Sequence, residues 1–245
     1  MNDASPAGGP AQLEIRIARK SYVSASGERL DVIRDLALAL RHGEVGAIVG
    51  PSGCGKTTML RIVAGLEHDF DGTVARPEGR LGMVFQEPRL LPWRSVEQNV
   101  RLVAPEIDDA ALTALFEILG LTTHRSHFPG ELSLGLARRV ALARAFGVEP
   151  HLLILDEPFT SLDAALAARL RDELAMLVER RPVTTLLVTH DVDEAVRLAD
   201  RLFLLAPRPT HVIAELLIPR PRAARSADEI AALKHEIAKR LHAHA

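Results

Sequence analysis

The chain has 245 residues, with 30 lysines and arginines against 32 aspartates and glutamates, a net charge of -2. Hydrophobic residues make up 47% and charged residues 25%, the proportions of a globular protein and not of a disordered or fibrous one. The near-neutral balance argues against a protein held on nucleic-acid phosphates. A single cysteine excludes a disulfide framework, and no apolar run approaches the roughly 18 residues of a spanning helix. The length suits one domain, or one domain with a subdomain. The opening MNDASPAGGP lacks the basic and apolar regions of a signal peptide. The expectation is a soluble protein of a reducing cytoplasm.

Residues 1–11 are small and Gly/Pro-rich and read as a disordered N-terminus. Leu13, Ile15 and Ile17 alternate as in a half-buried strand, and Asp35 to Leu40 reads as a second strand. Val45 to Val49 is a short apolar run, the pattern of a buried parallel strand. Thr57 to Leu66 reads as a helix and Leu81 to Phe85 as a strand. The middle, about residues 88–148, reads as a mostly helical insert. Leu112, Leu115, Phe116 and Leu119 form one helical face, and a second helix runs from Leu134 to Phe146. Strand patterns return at Leu152 to Leu155, Thr185 to Val188 and Leu202 to Leu205, with a helix from Ala164 to Arg180. This alternation predicts an α/β fold around a mainly parallel sheet. Residues 219–245 read as a linker and an amphipathic helix. Arg220, Arg222 and Arg225 are expected to be solvated there. Ser226 and Glu229 have capping-box spacing, and Ile230, Leu233, Ile237 and Leu241 share one face.

Two segments carry chemistry. Gly50, Pro51, Ser52, Gly53, Cys54, Gly55, Lys56 and Thr57 match G-x-x-x-x-G-K-S/T between a strand and a helix. Glycines let the backbone wrap a phosphate with its N–H groups inward, and the helix adds its positive end. Lys56 reaches the β- and γ-phosphates and the Thr57 hydroxyl can ligate Mg²⁺; Thr58 adjoins the same cradle. The second segment is the aliphatic strand ending in Asp156 and Glu157. Ionised carboxylates beside a core need a partner. A metal ion and a water supply one, with Asp156 on Mg²⁺ and Glu157 activating the attacking water. Cys54 has no claim to thiol chemistry in this loop, and His235, His242 and His244 read as solvated side chains rather than a metal site.

With these motifs in place the chain resembles the nucleotide-binding subunit of an ABC transporter, over about residues 13–209. That implies a P-loop NTPase cassette with a parallel core, an antiparallel β-subdomain and a helical subdomain, spanning residues 12–218. Tyr22 falls where the family places an aromatic against adenine, although a lone tyrosine is more often packing. Gln86 matches the Q-loop glutamine, which senses Mg²⁺ and the γ-phosphate. Leu132-Ser133-Leu134-Gly135-Leu136 matches the signature, Ser161-Leu162-Asp163 the D-loop, and His190 the switch histidine. In the family the signature serine and glycine, here Ser133 and Gly135, meet ATP on the opposite subunit. Here LSLGL stands for the usual LSGGQ, and Leu134 is tolerated if the backbone there is already helical, with Ser133 as the helix cap.

The segment from Gln86 to Val96, with Trp93, resembles importers of the nitrate/sulfonate/taurine group. Trp93 and its neighbouring leucines are either rim residues of a permease groove or core of the helical subdomain. The resemblance implies an ATPase using ATP and Mg²⁺, a second copy of the chain, and permease subunits with an extracytoplasmic binding protein behind them. It implies a peripheral place on the cytoplasmic face of the membrane and no nucleic-acid partner. The alternatives are a soluble ABC ATPase outside transport and an ATP-dependent scaffold.

Overall fold

The computed structural model describes residues 11–24 and 27–243. The segment expected to be disordered falls outside these residues except for Ala11, which pairs with Arg41. His244 also lies outside them.

Two sheets organise the chain. β1 (Ala11–Val23) pairs antiparallel with β2 (Arg29–Arg41) and with β4 (Asp71–Ala75). The larger sheet has the order β5-β6-β7-β3-β8-β9. Its strands are β3 (Val45–Val49), β5 (Leu81–Val84), β6 (Leu152–Asp156), β7 (Thr184–Thr189), β8 (Arg201–Leu205) and β9 (Val212–Leu217). All neighbours are parallel except β8 and β9. β4 and β9 were not anticipated. Both are short edge strands, with little apolar alternation to announce them, and their pairing is a long-range event. β2 begins six residues before the expected Asp35, because Leu30 and Asp31 already pair with β1.

The central strands bury both faces, which explains their unbroken apolar runs. Leu153 and Leu155 of β6 face one core, while Leu152 and Ile154 face the other. β8 divides in the same way, Leu202 and Leu204 against Phe203 and Leu205. The second core lies under the antiparallel sheet and α1 (Lys56–Val63). The first lies under α2 (Val96–Val103), α3 (Asp109–Ile118), α4 (Leu134–Gly147) and α5 (Ala164–Arg180). α6 (Val192–Leu198) packs on β3 and β7 and against α7 (Ala227–His242), and both helices add side chains to the first core.

The tail departs from a solvated linker. Arg222 pairs with Asp200 and donates to Leu198 O, and Arg225 donates to Val196 O at 2.6 Å. The Arg225 side chain is only 2% exposed. Burial pushes the Asp200 carboxyl above its usual value, and the carbonyls ending α6 need donors; these two arginines meet both demands. Arg220 remains half-exposed and pairs with Glu229. α7 starts at the expected capping box, Ser226 with Glu229, and buries Ile230 and Ile237.

Candidate nucleotide and catalytic site

The glycine-rich loop joins β3 to α1 along the larger sheet. Gly53 and Gly55 have φ of 73° and 126°, so the loop needs residues that tolerate positive φ. A Cβ on Gly55 would stand 2.8 Å from Val32 Cγ1, so the loop is pressed onto β2. α1 has no side-chain cap at Gly55, and its first N–H groups are left for a phosphate. Lys56 is buried and donates to Gly50 O at 2.8 Å and Pro51 O at 2.9 Å. The Cys54 side chain packs in the second core, in agreement with a purely structural thiol.

β6 ends this site from the other side. Asp156 is buried, and burial together with the charge of Glu157 raises its carboxyl above the usual value. The Thr57 hydroxyl lies 3.4 Å from Asp156 Oδ2. A buried, undercompensated carboxylate beside a hydroxyl is a donor set of hard oxygens, which fits Mg²⁺ with waters and phosphate oxygens completing its shell. Glu157 follows with φ of 46° and donates its N–H to Val188 O at 2.9 Å. Its Oε2 is 3.1 Å from His190 Nδ1 and accepts from the Thr160 hydroxyl at 3.2 Å. His190 directly follows β7, and Asp191 caps α6 just after it.

One cavity of about 360 Å³ brings together Ser52, Gly53, Gly55, Lys56, Thr57, Thr58, Gln86 and Glu157. A larger one of about 920 Å³ adjoins it and adds Asp156 beside Thr57 and Gln86. Residues 52, 53, 55–58, Gln86 and Glu157 thus meet in one cavity, with Asp156 in the adjoining one. Gly50, Pro51 and His190 line a third cavity of about 310 Å³, and His190 reaches the site through Glu157. Arg208, between β8 and β9, also lines the Lys56 cavity and donates to Gly53 O. Sequence reasoning missed it. Arg208 meets the loop from 155 positions away, and no local pattern marks it.

Ser133, Gly135, Asp163 and Tyr22 line neither the Lys56 cavity nor the one adjoining it, whereas Leu134 lines the latter beside Asp156. Ser133 caps α4 through Leu136 N at 3.3 Å, and Leu134 is the first helical residue there. Gly135 is buried in α4, and a Cβ there would meet Leu166 Cδ2 at 2.5 Å. Asp163 caps α5 by accepting from Leu166 N at 3.0 Å. Tyr22 is 40% exposed at the end of β1; its hydroxyl donates to Glu67 Oε2 and Lys20 Nζ lies 4.5 Å from its ring centre. Trp93 is 70% exposed, which removes it from the core of the helical region.

Comparison with known proteins agrees with this arrangement. The family ABC_tran, ABC transporter, matches residues 33–160. The chain is 44% identical to the aliphatic sulfonates import ATP-binding protein SsuB 2 of Pseudomonas syringae pv. tomato, over 94% of this chain and 98% of that protein. It is 44% identical to the aliphatic sulfonates import ATP-binding protein SsuB 1 of Pseudomonas aeruginosa, over 91% and 94% of the two chains. Among solved structures it resembles the dimeric structure of MJ0796, a bacterial ABC transporter cassette, with a TM-score of 0.75 and 26% identity over 85% of this chain and 100% of that one. A post-hydrolysis state of that cassette bound to ADP and Pi gives a TM-score of 0.73 at 27% identity, again over 85% and 100%. The strand, loop and helix around Lys56, the acidic end of β6 and these relatives agree: the chain belongs to the ABC transporter family.

Proposed function

We propose that this chain is the ATP-hydrolysing subunit of an importer for aliphatic sulfonates, working as a pair of copies against a membrane permease. The observation that carries the reading is one cavity holding Lys56, Thr57, Gln86 and Glu157, with the Glu157 carboxylate hydrogen-bonded to His190. Backbone N–H groups of residues 50–57 and the first turn of α1 bind the phosphates of ATP. Lys56 exchanges its two carbonyl partners for phosphate oxygens. Thr57 and Asp156, with Gln86 nearby, are the residues that would hold Mg²⁺, which would supply positive charge to the phosphates. Glu157 orients the attacking water and takes its proton. His190, beside Glu157, contacts the γ-phosphate and holds the carboxylate in place.

Tyr22 stacks on adenine at the edge of the antiparallel sheet. Ser133 and Gly135 present the N-terminus of α4 to ATP bound on the second copy, with Asp163 at the same interface. ATP closes the pair, and hydrolysis with release of phosphate opens it. Gln86 begins the segment that carries the exposed Trp93, and this face meets the permease on its cytoplasmic side. An extracytoplasmic binding protein delivers the sulfonate. The relatives named for sulfonate import support that cargo.

Glu157→Gln tests the reading. It is expected to bind ATP as the wild type does, to lose about a hundredfold or more in turnover, and to accumulate an ATP-bound dimer in size-exclusion chromatography. Wild-type turnover in this variant removes Glu157 from its role. Stimulation of ATPase activity by a sulfonate-loaded binding protein, in vesicles holding the permease, tests the cargo.

A further inference from the structure

A buried cation sits under the turn that carries Glu157. Arg138, in the first half of α4, is 4% exposed. Its guanidinium donates to two main-chain carbonyls of that turn, Thr160 O at 2.7 Å and Glu157 O at 3.4 Å. Thr160 in turn donates its hydroxyl to Glu157 Oε2, the oxygen that also meets His190. The contacts form one path from helix to carboxylate.

The turn needs such a grip. Glu157 and Ser161 have φ of 46° and 67°, and neither is glycine. Side chains in this conformation are strained and persist only where the surroundings over-determine them. The arginine is itself costly to bury. Among the described residues no carboxylate lies within ion-pair distance of it, and its Nε is buried without a hydrogen-bond partner. Burial pulls its pKa down, with only the more distant charge of Glu194 opposing this. An apolar side chain would fill the space at less cost. What the arginine adds is a planar fork of donors that can hold two carbonyls of one turn at once.

We propose that Arg138 is a positioning residue for ATP hydrolysis: it holds the turn from Glu157 to Thr160 by its carbonyls, and so sets the Thr160 hydroxyl that orients the Glu157 carboxylate. The inference rests on the reading of Glu157 as the residue that orients the attacking water. It also ties the capped end of α4, at Ser133, to the catalytic carboxylate of the same chain.

Steady-state ATPase measurements on the full chain test it, with Arg138→Met, Thr160→Val and the double variant beside Glu157→Gln. Each single change is expected to lower kcat about tenfold while KM for ATP stays within about twofold. The double variant is expected to be no slower than the slower single, because both act on one path. Arg138→Lys keeps a point charge without the fork and is expected to recover part of the loss. Wild-type kcat in Thr160→Val, or losses that multiply in the double variant, would overturn the proposal. Thr160→Val is close in shape to the native side chain and decides the matter alone if Arg138→Met does not fold. A silent Glu157→Gln beside unaffected Arg138 and Thr160 variants sinks the positioning role only. An active Glu157→Gln sinks the reading of Glu157 beneath it.

Discussion

Leu134 is the residue at which the signature segment departs from the family pattern, and its backbone explains why leucine is accommodated. It is the first residue of α4, directly after the capping Ser133, and its side chain is 45% exposed. A helical φ carries no penalty for a branched side chain, so glycine is not required there. Leu134→Gly is therefore expected to destabilise the chain by no more than about 1 kcal/mol in urea unfolding and to leave turnover within about twofold of wild type. A several-fold rise in turnover would mean that the leucine obstructs the site. The same scale shows what a motif can convey. Lys56, Thr57, Asp156 and Glu157 were legible because their spacing and flanking strands are local. Arg208 and Arg138 were not, because each acts on carbonyls of a distant segment, and an arginine in a loop or helix looks like any other in sequence.

At the scale of elements, α7 is held to α6 and not to solvent. Lys234 donates to Asp193 at 3.0 Å, and Arg197 and Arg171 reach the same carboxylate. Burial tends to raise the Asp193 pKa, but donation by Arg197 and Lys234 outweighs it and holds the group below its ordinary value of 3.8. A depressed carboxylate contributes stability that is fully present above the unfolded value and fades as pH falls through the folded one. Its loss is thus confined to pH below about 3.8. Asp193→Asn is expected to cost about 1 kcal/mol at neutral pH, to speed amide exchange in α7, and to converge with wild type below that pH. An equal gap at pH 3 and pH 7 would assign the loss to packing. The cap and apolar face of α7 were readable from Ser226, Glu229, Ile230 and Ile237. Its docking surface was not, since periodicity says which face is buried and not against what.

At the scale of the whole molecule, the 245-residue chain holds no helix long and apolar enough to cross a membrane among its described residues, yet it presents Trp93 to solvent. The exposure takes Trp93 out of the core, while Leu90 nearby packs against the first core. Trp93→Ala is expected to change stability by less than about 0.5 kcal/mol, because the ring is 70% exposed, while reducing copurification with the permease. A large drop in melting temperature would return the tryptophan to a packing role. The sequence by itself determined the α/β class, the phosphate loop, the acidic end of β6 and the capped C-terminal helix. Each is written in neighbours a few positions apart, through alternation, helical spacing and loop glycines. Only the tertiary structure decided that Arg222 and Arg225 anchor the tail, that β4 and β9 close the sheet edges, and that Arg138 underlies Glu157. Those depend on which distant segments meet, and burial of a charge or pairing of an edge is a property of that meeting and not of the residues alone.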